Sequence, residues 1–235
     1  MKILLKELKK ELQKLGNPQK AKFVAGYFKT GKGEYGEGDI FLGITVPVQR
    51  TIAKKYPNLS MNDLQELLNS KIHEERLISL MILSQKYKKA NNKEKKEFFD
   101  FYLENTHNIN NWDLIDLSSR DIVGDFLIDK DKKILYKLAK SKSTWEKRIA
   151  IIATNAFIRI GKFKETFKIA EILLNDSHDL IHKAVGWMLR EVGNRDQKAE
   201  EEFLKKHYQK MPRTMLRYAI EKFAEKKRKF YLAKT

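Results

Sequence analysis

From Pro47 onward, apolar residues recur three and four positions apart almost without a break, a period that strands cannot use and helices can. The 235-residue chain holds only four prolines, and convincing alternating runs of the β type are missing. An all-α fold is therefore expected, with helices near 47–55, 61–69, 73–89, 93–105, 111–128, 131–141, 144–160, 163–174, 178–193, 196–209 and 212–226. Before Pro47, Leu4, Leu5, Leu8, Leu12 and Leu15 mark one helix that ends at Gly16-Asn17-Pro18. Asn17 is a suitable N-cap and Pro18 a suitable first residue for a second helix, running through Phe23 to Phe28. The glycine-dense segment Thr30–Asp39 follows as a loop.

Pairs of helices joined by tight polar turns (Asn91-Asn92, Asn110-Asn111, Gly161, Asn175-Asp176-Ser177) point to a curved α-solenoid. Arg76, Trp112, Arg148 and Ala184 stand 36 residues apart, each in or at the start of a predicted helix. Residue identities barely repeat, so a plain helical bundle is the alternative. The chain is expected to form one domain, 1–235, with residues 1–45 as N-terminal helices and glycine-rich loop, and 226–235 as a basic tail.

The formal net charge of +17 points to a polyanionic partner, because cationic patches release condensed counterions when they meet phosphates; a generally lysine-rich proteome is the alternative. A solenoid with Lys and Arg on its concave face would suit a duplex. Cysteine is absent, which excludes disulfides, Cys-based zinc sites, iron–sulfur clusters and thiol catalysis. No run approaches the ~20 apolar residues of a membrane span, and the N-terminus is too short in apolar residues for a signal peptide. A cytoplasmic, nucleoid-associated monomer without membrane contact is expected. Gly26–Gly33 nearly spells a phosphate-binding P-loop, but Gly33 stands where a Mg²⁺-binding hydroxyl is needed and the preceding segment reads as a helix. His178 and His182 have the spacing of zinc ligands, yet no third ligand is evident and two partly exposed helix histidines explain them. No metal or organic cofactor is expected.

Chemistry is best sought in Asn110–Arg120. Asp113 suits the first turn of a helix, where the dipole favours a carboxylate. Trp112 and Asp116 are four residues apart and share a face. Asp116 sits among Leu114, Ile115 and Leu117, and is either a functional carboxylate or an ion-pair partner of Arg120. Within Lys183–Glu191, Trp187 and Arg190 share a face, and Gly186 leaves room for a close approach; the alternative is a core tryptophan beside a surface arginine. Arg148 stands at the edge of an apolar helix and needs a carboxylate or a phosphate.

Together these segments resemble the AlkD-type DNA alkylation repair glycosylases, which are built from HEAT-like helical repeats. The resemblance runs from the first helices to about residue 225. It rests on Phe41–Pro47, Asn111–Asp116 with Gly124-Asp125, Glu146–Arg148 and Lys183–Glu191. It implies that Asp116 is the catalytic carboxylate and that Trp112 and Trp187 are aromatic walls of the cleft. Arg148, Arg190, Tyr27 and Lys183 would touch DNA, Tyr27 near the lesion.

The implied substrate is double-stranded DNA carrying purines alkylated at N3 or N7. The implied reaction is hydrolysis of the N-glycosidic bond, without a tight pocket for a flipped base. Such alkylation makes the base a cationic leaving group, and charge migrates to the deoxyribose as the bond breaks. A preorganised carboxylate stabilises that developing cation. Two other readings compete: a non-catalytic helical-repeat protein that binds distorted or branched DNA, and a protein-interaction scaffold.

Overall fold

A computed structural model describes residues 2–233. Among the described residues the regular elements are helical, and an isolated parallel bridge between Ile40 and Ile72 is the extent of β pairing. The all-α expectation holds. The chain divides into two compact units, one reaching to Ser118 and the other starting at Ser119.

The first unit contains α1 (Lys2–Leu15), α2 (Pro18–Tyr27), α3 (Val46–Lys55), α4 (Met61–Leu68), α5 (His73–Lys89), α6 (Asn92–Glu104) and α7 (Trp112–Asp116). Its starts are set locally. Asn17 accepts the Lys20 N–H at 2.9 Å, with Pro18 in the first turn of α2, as the sequence indicates. Ser60 with Asp63 and Asn91 with Glu94 form capping boxes at α4 and α6, each cap worth about 1 kcal/mol. Helix α5 is buried on nearly every side and packs against α3, α4, α6 and α7. Leu77, Ile78, Ile82 and Leu83 are fully buried, each contributing roughly 1.5–3 kcal/mol relative to exposure.

The second unit contains α8 (Lys133–Ala139), α9 (Thr144–Ala153), α10 (Asn155–Arg159), α11 (Lys164–Leu173), α12 (Asp179–Gly193), α13 (Gln197–His207), α14 (Arg213–Ala219) and α15 (Glu225–Leu232). Its centre is α12, which packs on α9, α11, α13 and α14 through Ile181, Val185, Met188, Leu189 and Val192.

Three helices predicted as continuous are interrupted. The segment 111–128 ends its α-helix at Asp116 and continues at Arg120–Gly124 as a π-helical turn. Ser118 explains the break. Its hydroxyl donates back to the Leu114 carbonyl and also meets the Tyr102 hydroxyl at 2.9 Å, which competes with the helix ladder. The segment 144–160 breaks at Thr154, whose hydroxyl donates to the Ile151 carbonyl at 2.6 Å. The segment 212–226 passes through a 3₁₀ turn, Ile220–Lys222, and becomes extended at Phe223.

Most of the predicted basic tail is then helical as α15, pinned by buried Tyr231. Lys234 and Thr235, its last residues, lie outside the described residues. No helix among the described residues is long and apolar enough to cross a membrane.

Candidate functional site

In the first unit, α7 carries Trp112 and Asp116 at its two ends, both half-buried. Asn111 caps it by accepting the Trp112 N–H at 2.8 Å. Phe28 stacks on one face of Trp112 at 4.9 Å with an interplanar angle of 8°. Tyr27, 63% exposed at the end of α2, meets Trp112 edge-on at 6.0 Å. The structure thus brings Tyr27 and Trp112 together, with Asp116 one turn along the same helix. Asp116 also acts on Tyr102. Burial pushes that phenol up, the Ser118 hydrogen bond opposes this, and the negative charge of Asp116 adds to the rise.

Beneath this surface lies a buried ionic network. His73, at the start of α5, has Nε2 2.8 Å from Asp113 Oδ2 and Nδ1 3.2 Å from Asp39 Oδ2. Arg76 reaches the same Asp39 oxygen at 2.7 Å and donates to the Ser70 carbonyl at 2.9 Å. Burial opposes a charge on His73, but Asp113 and then Asp39 outweigh it, so the imidazole is raised to about 9. Burial likewise raises Asp39, yet the His73 hydrogen bond and the Arg76 charge prevail and its carboxyl is lowered. Phe28 and Phe41 pack on the His73 ring at 5.1 and 4.5 Å. The network therefore ties the end of the glycine-rich loop, α5 and α7 to one another.

The adjoining loop is fixed by Glu74, whose carboxylate accepts the N–H groups of Leu42, Gly43 and Ile44. Gly43 has φ +79°, and a Cβ there would lie 2.5 Å from Ala21 N and Asn17 O.

The second unit holds the other residues singled out above. Arg148 on α9 is buried and donates to the Leu180 carbonyl at 2.5 Å. On α12, Trp187 donates its indole N–H to Glu191 at 2.9 Å, Lys183 pairs with Asp179 at 2.6 Å, and Arg190 pairs with Glu221. The space above Gly186 is taken by α14, because a Cβ there would come within 2.4 Å of the Met215 carbonyl oxygen. Gly124 serves the same purpose for the π-helical turn against Ala153 of α9.

His178 and His182 have helical duties. His178 Nδ1 accepts the Leu180 N–H at the start of α12, and His182 Nε2 meets the Asp176 carbonyl at 2.5 Å. Arg120 donates to its neighbour Asp121 at 2.6 Å.

The sequence matches the family model described as DNA alkylation repair enzyme over residues 8–223. The chain belongs to this family. A solved structure described as a predicted DNA alkylation repair enzyme from Enterococcus faecalis has the same fold, with a TM-score of 0.68 at 17% identity. The match covers 89% of this chain and 97% of that one. No curated protein matches the sequence.

For this member of the DNA alkylation repair family, Asp39, His73 and the partners of Arg76 escaped the sequence reading. Sequence spacing marks Arg76 only by its place 36 residues before Trp112, and Asp113 only by its suitability for the helix dipole. Asp39 and Asp113 lie 34 and 40 residues from His73, so no local pattern links them. The one usable signal is composition: His73 and Arg76 open a helix that is otherwise buried-type, and a charge there needs a partner.

Proposed function

We propose that this DNA alkylation repair enzyme is a monofunctional DNA glycosylase. It releases cationic N3- and N7-alkylated purines from duplex DNA, without metal or organic cofactor and without burying the base in a tight pocket. The whole chain acts as one HEAT-like repeat domain with a basic DNA-facing surface, and as a monomer. The observation that carries this reading is the disposition of α7: a half-buried carboxylate, Asp116, one turn from an indole backed by Phe28 and flanked by exposed Tyr27.

In the proposed mechanism the leaving base already bears positive charge, so little general-acid help is required. Asp116 stabilises the oxocarbenium-like sugar as the glycosidic bond breaks and holds the water that attacks C1′. The water's oxygen bonds to C1′, its surplus proton is released, and the base departs with the bonding electron pair. Trp112 offers its ring to the cation, worth roughly 0.5–2 kcal/mol. Trp187 gives a further aromatic surface to the nucleic acid. Arg148, Arg190, Lys183 and Tyr27 hold the backbone, Arg190 and Lys183 doing so while still paired with Glu221 and Asp179.

Incubation of the protein with methylated duplex DNA, followed by analysis of the released bases, tests this reading. Free 7-methylguanine and 3-methyladenine support it. Tight, salt-sensitive duplex binding with every methylated base retained would replace it with a non-catalytic protein that binds distorted or branched DNA.

A further inference from the structure

An open pocket of about 440 Å³ lies in the second unit, where α12, α14 and α15 meet. Its lining includes Lys183, Thr214, Arg217, Tyr218 and Arg228, together with two carboxylates. The carboxylates are already engaged. Asp179 pairs with Lys183 at 2.6 Å and is bonded by Thr214, and Glu221 pairs with Arg190 and, at 3.5 Å, with Lys222. Arg217 and Arg228 are exposed, and neither has an ion-pair partner among the described residues.

We infer that this pocket is a phosphate subsite, in which Arg217 and Arg228 grip the backbone phosphodiester of a bound DNA strand. Two guanidiniums can each donate two parallel N–H bonds to phosphate oxygens, a geometry that lysine cannot reproduce. The internal pairing of Asp179 and Glu221 leaves the two arginines as the surplus charge of the pocket. Tyr218, 36% exposed, supplies an aromatic wall for the adjoining sugar. Arg228 comes from the basic run 225–229, so the folding of that run as α15 places one of its cations in a defined site.

The inference rests on the reading of this chain as a DNA-binding repair enzyme and adds two residues to its contact surface. It is tested by titrating an unmodified duplex oligonucleotide into the full chain over a range of salt concentrations. R217A/R228A is expected to weaken binding about tenfold and to lower the slope of log affinity against log salt by about 1, since each neutralised phosphate contributes about 0.9. R217K/R228K is expected to recover the slope, because the charge is retained. The thermal midpoint should be unchanged in both, as the side chains are exposed.

Wild-type affinity and slope in R217A/R228A would overturn the subsite, and base release from methylated DNA by the wild type would then leave the glycosylase reading standing. Loss of both duplex binding and base release in the wild type would overturn the two together.

Discussion

His73 Nε2 lies 2.8 Å from Asp113 Oδ2, and this buried bond joins the start of α5 to the first turn of the helix bearing Trp112 and Asp116. Removing the imidazole takes the ionic partner from Asp113, while Asp39 retains Arg76. Loss of one partner from a buried ionic pair costs about 3–5 kcal/mol. H73A is expected to lose stability of that order in urea unfolding, and a loss below about 1 kcal/mol would show that the network does not hold the fold.

The same residue predicts a pH dependence. The folded pKa of His73, about 9, exceeds its ordinary 6.5, so its contribution is complete below 6.5 and is lost as pH rises through about 9. The thermal midpoint of the wild type is expected to fall across that window. Replacement by Asn, which does not titrate there, should flatten the fall, and an unchanged profile in H73N would contradict the assignment.

Glu200 on α13 gives an independent prediction. Its carboxyl is raised to about 9, by burial first and then by Glu201, with Arg190 opposing; its Oε1 has no hydrogen-bond partner. The folded state keeps it neutral while the unfolded chain ionises it, so its contribution is lost as pH rises from the ordinary 4.5 through about 9. E200Q should be more stable than wild type at pH 9, with the advantage vanishing near pH 5. Chemical unfolding at the two pH values would reveal it; equal differences at both would place an ionised carboxylate there.

Gly186 permits the contact between α12 and α14. A Cβ there would sit 2.4 Å from Met215 O and 2.5 Å from Tyr218 Cβ. G186A is therefore expected to cost about 1–3 kcal/mol through overpacking. A stability equal to wild type would mean that α14 yields readily.

The sequence was most informative where local chemistry acts alone. Asn17-Pro18 announced the start of α2, and the leucine spacing announced α1, because caps and periodicity are read within one or two turns. The breaks at Ser118 and Thr154 were hidden, since a hydroxyl that bonds back to its own helix looks the same in sequence as one facing water. At the candidate site, Trp112 and Asp116 are legible as neighbours because both lie on one short helix. His73 was not, because Asp39 and Asp113 reach it only in the fold. The sequence calls for a carboxylate or a phosphate at Arg148, whereas the Leu180 carbonyl, which no sequence spacing names, accepts one of its N–H groups.

The proposed role of Asp116, stabilising the developing sugar cation, is read out by single-turnover release of 7-methylguanine from duplex DNA by wild type and D116N. The exchange removes the negative charge while keeping the shape of a half-buried side chain. Loss of that electrostatic stabilisation should slow release by about 100-fold or more, with duplex affinity unchanged or slightly tighter. Release at the wild-type rate by D116N would remove Asp116 from that role.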